Sequence, residues 1–331
     1  MTEDLLVAKN IEVTYGGGGL FGGAGHKVLH GVDLSIKRGE TIGIVGESGS
    51  GKTMLARSIM GLLPRARASA SGSVKLKGVE MVGARASDLR RLWATEVAMI
   101  FQDPMTALNP VMRVGRQIDE TLRVRLGLSR SAARARAIEL LEMVGIPSPE
   151  KRYAAYPGQL SGGMRQRVVI AMALAASPSL ILADEPTTGL DVTIQAQILN
   201  LLDELQARLH TSMILITHDL GVVATRTSHL AVMYAGRIVE TGTTRDVFAR
   251  HRMPYTRALL ESSPRVSNPA HTRLTAIPGR PPNLLRLGEG CAFAPRCGFA
   301  SERCHRERPE LSVPDESSHA FACFNPLEVG R

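Results

Sequence analysis

Apolar residues gather in short unbroken runs along much of the chain. TIGIV at 41–45, VAMIF at 97–101, LILA at 180–183, MILI at 213–216 and LAVMY at 230–234 are such runs. A run of this length suits a strand with both faces buried. Strands of this kind alternating with helices make a parallel sheet covered on both sides. Between the runs the period lengthens to that of a helix. Ser129-Arg130-Ser131 opens one helical stretch, its apolar positions Ile138, Leu141 and Val144 fall on one side, and Gly145 stops it. Another stretch extends from about 192 to 209, and the block from about 103 to 175 reads as a helical insertion in an α/β core.

Other segments read as half-buried strands. Residues 5–15 end in alternation, and 28–38 (VLHGVDLSIKR) and 72–78 (GSVKLKG) suit an antiparallel layer beside the core. Ala235-Gly236 turns the run ending at Tyr234 into Arg237-Ile238-Val239-Glu240, a hairpin. The loop from Gly16 to Gly25 is glycine-rich, yet it lies between two strands and not between a strand and a helix. It reads as a flexible hairpin connection. Beyond about residue 245 the period is lost, and Pro254, Pro264, Pro269, Pro278, Pro281 and Pro282 interrupt the chain. A boundary there separates an α/β domain, 1–245, from a loop-rich extension, 246–331.

The formal net charge of the 331 residues is +9. Seven arginines fall between Arg113 and Arg136, against only Asp119 and Glu120. Nucleic acid, an anionic membrane surface or a solvated helical face would each account for them. The start, Met1-Thr2-Glu3-Asp4, is acidic and lacks the basic region of an export signal. The longest apolar run, 168–183, is broken by Ser177-Pro178-Ser179 and is too short for a membrane span. The expectation is a cytoplasmic chain whose membrane role, if any, comes through a partner.

The densest chemistry is GESGSGKT at 46–53, after one apolar strand and before the helical MLARSIM. This is the strand–GxxxxGK[ST]–helix context of a P-loop. Gly46, Gly49 and Gly51 let the backbone of Glu47, Ser48 and Ser50 turn its N–H groups toward phosphate oxygens. Lys52 is placed to reach the β- and γ-phosphates and Thr53 to ligate Mg²⁺. Asp184 and Glu185 end a second buried strand. Beside a P-loop, Asp184 suits Mg²⁺, directly or through water, and Glu185 suits the base that polarises the attacking water. Ser161-Gly162-Gly163 precedes another helix and is either a second phosphate contact or a plain N-cap.

Taken in order, Tyr15, GESGSGKT, Gln102, LSGGMRQR (160–167), LILADE, Thr188-Gly189-Leu190-Asp191 and His218 resemble the ATP-binding subunit of an ABC transporter. The resemblance covers residues 5 to about 245. It implies the ABC-type P-loop NTPase fold: a parallel core sheet, an antiparallel β subdomain and a helical subdomain. It also implies that Tyr15 stacks on adenine, that Gln102 senses the γ-phosphate and Mg²⁺, and that His218 contacts the γ-phosphate and keeps the attacking water placed. Asp191 would lie at a dimer seam, where Ser161, Gly162 and Gly163 of one subunit serve the partner's ATP. Met164 departs from the Gln that many members carry; Ser161 and the neighbouring backbone can still meet the phosphate.

All four cysteines, Cys291, Cys297, Cys304 and Cys323, fall within the extension, separated by five, six and eighteen residues. Disulfides are disfavoured in a cytosolic chain, and four thiolates suit zinc or an iron–sulfur cluster. No Cys-x-x-Cys pair occurs, which weakens the zinc-ribbon reading. Ile277-Pro278-Gly279 through Gly290-Cys291-Ala292-Phe293-Ala294-Pro295-Arg296-Cys297 to Cys323 resembles the C-terminal extension of dipeptide/oligopeptide permease ATPases. That likeness implies a [4Fe–4S] cluster on the four cysteines, with Zn²⁺ the alternative. It further implies a second, usually different, ATPase subunit, two transmembrane permease subunits and an extracytoplasmic solute-binding protein. The chain would then be peripheral on the cytoplasmic face of the inner membrane, with no nucleic-acid partner. Importers of nickel chelates or other small solutes, and a soluble ABC ATPase acting on ribosomes or DNA, are the alternatives.

Overall fold

The computed structural model describes residues 4–16, 25–64, 66–263, 276–284, 287–313 and 319–328. Most of the glycine-rich connection at 16–25, and Pro264 and Pro269, lie outside the described residues. The backbone divides into two compact units. The first holds Asp4–Ile36, Thr41–Gly83 and Leu215–Arg331; the second holds Lys37–Glu40 and Ala84–Ile214.

The first unit begins with β1 (Asp4–Tyr15), β2 (His26–Lys37), β3 (Thr41–Val45), α1 (Lys52–Ile59), β4 (Ala68–Leu76) and β5 (Val79–Glu80). One sheet has the order β2-β1-β4-β5. On β2, Val32, Leu34 and Ile36 are buried while Asp33, Ser35 and Lys37 are exposed, so alternation decides which face packs. Strand β1 pairs antiparallel with β4 and shifts register between Lys9 and Glu12. Gly72 lies against this irregularity: a Cβ there would stand 2.3 Å from the Asn10 carbonyl oxygen. By contrast β3 is buried at every position, as an unbroken apolar run requires.

The second unit carries α2 (Ala86–Thr95), β6 (Val97–Ile100), α3 (Pro104–Ala107), α4 (Val114–Leu126), α5 (Arg130–Met143), α6 (Pro149–Tyr153), α7 (Gly162–Leu174), β7 (Leu180–Asp184), α8 (Val192–Leu209) and the start of β8 (Ser212–Ile216). Strands β6 and β7 pair in parallel from Val97–Leu180 to Ile100–Ala183. Helices α3 to α7 occupy the stretch that the periodicity marks as helical. Ser129 caps α5 by accepting the Ala132 N–H, and Gly145, at φ +72°, follows its end.

The chain returns to the first unit with α9 (Leu220–Arg226), β9 (His229–Tyr234), β10 (Arg237–Thr243), α10 (Thr244–Arg250), α11 (Pro254–Ser262), α12 (Glu302–Arg306) and β11 (Ala320–Phe321). Here the strand order is β11-β10-β9-β3, with β9 parallel to β3 and antiparallel to β10. The C-terminal extension therefore adds an edge strand, Glu240–Phe321 and Thr241–Ala320 in register. The fully buried Glu240 anchors it: its carboxylate accepts the Arg252 N–H at 2.6 Å and lies 2.8 Å from His319 Nε2. Among the described residues no helix is long and apolar enough to cross a membrane.

Candidate functional site

Residues 46–53 join the buried end of β3 to α1. Gly46 has φ +154°, and a Cβ would lie 2.2 Å from the Met233 carbonyl oxygen, so only glycine fits. Gly51, at φ +106°, is the N-cap of α1, whose first turn carries no acidic side chain to compete for its positive end. Lys52 is buried, and its Nζ donates to the carbonyls of Gly46 at 2.8 Å and Glu47 at 3.0 Å. The Ser50 hydroxyl is buried without a hydrogen-bond partner among the described residues, while Ser48 and Gly49 face outward. An exposed Ser48-Gly49 tip over the Ser50 hydroxyl and a buried ammonium is a surface that suits an anion with several oxygens. Thr53 is half-buried at the start of the helix.

Glu47 is held on two sides. Its backbone N–H donates to Tyr255 Oη at 2.8 Å. Its carboxylate takes a forked pair from Arg296, Nη1 at 2.6 Å and Nη2 at 2.9 Å. Arg296 lies in the run that resembles the permease ATPase extension, but its contact with Glu47, like that of Tyr255, has no sequence signal. Tyr15 ends β1 opposite Ala68, with its side chain partly exposed, and His218 is exposed just after β8. Asp219 then caps α9 by accepting the Gly221 N–H at 2.8 Å, which fixes the chain beside His218.

In the second unit Asp184 is buried at the end of β7 and Glu185 follows it in a left-handed conformation, φ +47°. A non-glycine residue held there is under local strain. Glu185 Oε2 accepts from Gln102 Nε2 at 2.9 Å and from Thr188 Oγ1 at 2.8 Å. Gln102 and Glu185 are thus brought together, and Thr188, which opens the Thr188-Gly189-Leu190-Asp191 motif without an assigned role, is a third member.

The Ser161-Gly162-Gly163 segment opens α7. Ser161 Oγ accepts the Met164 N–H at 3.3 Å, and Asp191 Oδ1 accepts the Ile194 N–H at 2.9 Å, so both side chains cap helices. Gly163 packs on Ile194, where a Cβ would meet Cγ2 at 2.6 Å. Gln166, fully buried, donates to the Pro186 carbonyl at 2.6 Å and ties α7 to the segment after Glu185. Several of the arginines have internal work. Arg165 donates to the Pro157 carbonyl at 2.8 Å, Arg125 to that of Trp93 at 2.6 Å, and Arg134 stacks over Tyr153.

The four cysteines, free of disulfides, line one small pocket in the first unit together with Phe293 and Phe324. Burial, then the charge of the other three thiols, pushes Cys323 up to about 12, and burial also raises Cys291 and Cys297. Backbone N–H groups of Phe299 and Ser301 point at the sulfurs of Cys297 and Cys304 at 3.4 and 3.5 Å. Among the described residues no group of three or more His, Cys, Asp or Glu side chains is arranged to hold a metal ion.

Residues 29–188 match the family model for ABC transporters, and residues 239–304 match that for the oligopeptide/dipeptide transporter C-terminal region. The chain is similar to the oligopeptide transport ATP-binding protein OppD of Bacillus subtilis (strain 168), 49% identical over 93% of this chain and 85% of that protein. It is also similar to the protein of the same description from Salmonella typhimurium, 48% identical over 90% of this chain and 88% of that one. A solved dimeric ATP-binding cassette in a post-hydrolysis state, bound to ADP and Pi, superposes with TM-score 0.63 and 28% identity, covering 72% of this chain and 99% of that one.

Proposed function

Because the chain belongs to the ATP-binding subunits of ABC transporters that carry the oligopeptide/dipeptide C-terminal region, we propose that it hydrolyses ATP to drive peptide uptake through membrane-spanning partners. The observation that carries this is the presence of both family matches in one chain, with near-half identity to oligopeptide transport ATPases over almost its full length.

In this reading the backbone of residues 46–51 and Lys52 bind the β- and γ-phosphates, and Tyr15 stacks on adenine. Thr53 and Asp184 are the residues that would hold Mg²⁺, which when bound would supply positive charge against the phosphates. Gln102 and Thr188 orient the Glu185 carboxylate, which takes a proton from the attacking water. The water oxygen bonds to the γ-phosphorus, and the bond to the bridging oxygen of ADP breaks. His218 keeps that water and the γ-phosphate in place. Ser161, Gly162, Gly163 and Asp191 serve a nucleotide held by a second ATPase subunit, which closes over this one when ATP is bound.

The chain docks peripherally on two permease subunits at the cytoplasmic face of the inner membrane, and an extracytoplasmic binding protein delivers the peptide. The four cysteines are the residues that would hold a [4Fe–4S] cluster. Their fit rests on chemistry: one buried and three half-buried thiols that repel one another's ionised forms would gain from a shared cation, and two of the sulfurs are met by N–H groups. Iron and zinc analysis with ultraviolet–visible spectra of anaerobically purified protein decides; stoichiometric zinc without iron refutes the cluster.

The transport reading is tested in proteoliposomes holding this chain, a second ATPase and both permeases, with binding protein supplied. ATP-dependent accumulation of short peptides is expected. ATP hydrolysis unaffected by peptide-loaded binding protein, with no accumulation, would refute it.

A further inference from the structure

The extension reaches the phosphate loop through two buried side chains, Tyr255 and Arg296. Arg296, its side chain 4% exposed, ends a short turn, Ala294–Arg296, between Cys291 and Cys297. That turn is held by the cysteine segment itself: the Ala294 N–H donates to the Cys291 carbonyl at 3.0 Å and the Cys297 N–H to the Ala294 carbonyl at 3.2 Å. Four of the five guanidinium N–H groups have named partners. Nε donates to the Pro278 carbonyl at 2.7 Å, Nη1 to Tyr234 Oη at 3.2 Å, and both Nη atoms to Glu47. Around it Tyr234, Tyr255 and Phe293 pack with ring centroids 4.4–5.4 Å apart, and Tyr255 Oη accepts the Glu47 N–H.

Glu47 directly follows Gly46, so its carboxylate stands next to the surface read as the triphosphate cradle. An unpaired carboxylate there would repel a triphosphate, and an untethered Glu47 would let the loop backbone turn away. A forked guanidinium cancels the charge and fixes the side chain together, which an ammonium could do only in part. We propose that Arg296 is a positioning residue for nucleotide binding. It neutralises Glu47 and, with Tyr255, holds the phosphate loop in its binding shape, so that the cysteine segment is a structural part of the ATP site. This rests on reading residues 46–53 as the cradle.

The test is MgATP affinity, measured by calorimetry on the full chain. Arg296→Gln should bind about tenfold more weakly than wild type. Adding Glu47→Gln to it should recover most of that loss, because the repelling charge is gone; a role in packing alone would not be rescued this way. Wild-type protein that binds no MgATP overturns the cradle reading and this inference with it. Arg296→Gln within about twofold of wild type overturns the inference alone, as does a loss that Glu47→Gln fails to relieve. Should Arg296→Gln not fold, amide exchange still decides. In nucleotide-free wild type the Glu47 N–H should be protected, and Tyr255→Phe should speed its exchange; no protection in wild type overturns the inference.

Discussion

Replacing Glu185 by Gln separates proton transfer from architecture. Glu185 Oε2 accepts from Gln102 Nε2 at 2.9 Å and from Thr188 Oγ1 at 2.8 Å. A glutamine of the same shape keeps one carbonyl oxygen that can accept both, so the local structure survives. What disappears is basicity. A positioned general base contributes ~10²–10⁴-fold, or about 3–5 kcal/mol of barrier. Glu185→Ala removes the base and also leaves Gln102 and Thr188 without their acceptor. Because those groups are partly exposed, water replaces much of what is lost, and the added cost is about 1 kcal/mol. Single-turnover hydrolysis, MgATP binding and thermal unfolding are to be run on wild type and both variants. Both should lose turnover by ~10²-fold or more. Glu185→Gln should retain MgATP binding and melt with wild type, and Glu185→Ala should melt about 1–2 degrees lower. Turnover in Glu185→Gln above about a tenth of wild type would remove Glu185 from the base role.

Gly46→Ala should abolish MgATP binding and lower the melting temperature sharply, since its Cβ meets the Met233 carbonyl oxygen at 2.2 Å and neither backbone can yield; binding at wild-type affinity would contradict the loop geometry. His30 is pushed down to about 4 by burial and by the nearby Arg237, Arg308 and Lys27 charges. Its neutral form is favoured in the fold, so its contribution is complete above about 6.5 and is lost as pH falls from there toward about 4. Discounted for solvent, this is about 1 kcal/mol. The melting temperature of His30→Gln should therefore fall less than that of wild type between pH 7 and pH 5, and parallel curves would refute the assignment. Gly162→Ala should melt like wild type, its Cβ meeting Leu190 at an ordinary 3.4 Å, whereas Gly163→Ala, at 2.6 Å from Ile194, should melt lower.

Some of this molecule is readable from local pattern, because local causes produced it. Strands β3, β7 and β8 are buried at every position, and unbroken apolar runs announce that. Helix α8 spans Val192–Leu209, as its period and the preceding Asp191 indicate. Helix α2 escapes because only Leu89 and Leu92 of its ten residues are buried, too few to set a period. Strand β11 is two residues long among prolines, and its pairing with β10 depends on a partner some eighty residues earlier. The same limit hides Arg296, 249 residues from Glu47. A motif search finds what recurs at fixed spacing; a side chain that completes a site from across the chain has no spacing to find.

The Ser161-Gly162-Gly163 segment shows why a motif and a fold element need not be rival explanations. Ser161 accepts the Met164 N–H as an N-cap, and a hydroxyl that accepts one bond still has its proton to donate. Capping therefore aims the Ser161 O–H outward at the N-terminus of α7, where a partner's phosphate would profit from it. Gly163 is required by Ile194 whether or not any ligand arrives, so its presence alone says nothing about phosphate. Gly162 differs. Its φ is not in the left-handed region, and a Cβ there meets nothing closer than ordinary contact. Among the described residues neither packing nor backbone conformation demands glycine at 162, so a role in admitting a partner's phosphate is open to test there. The loss expected of Gly162→Ala is thus confined to ATP-dependent pairing with a second subunit, and sedimentation in the presence of a non-hydrolysable analogue reads it directly. Unchanged pairing would leave the segment a helix cap and no more.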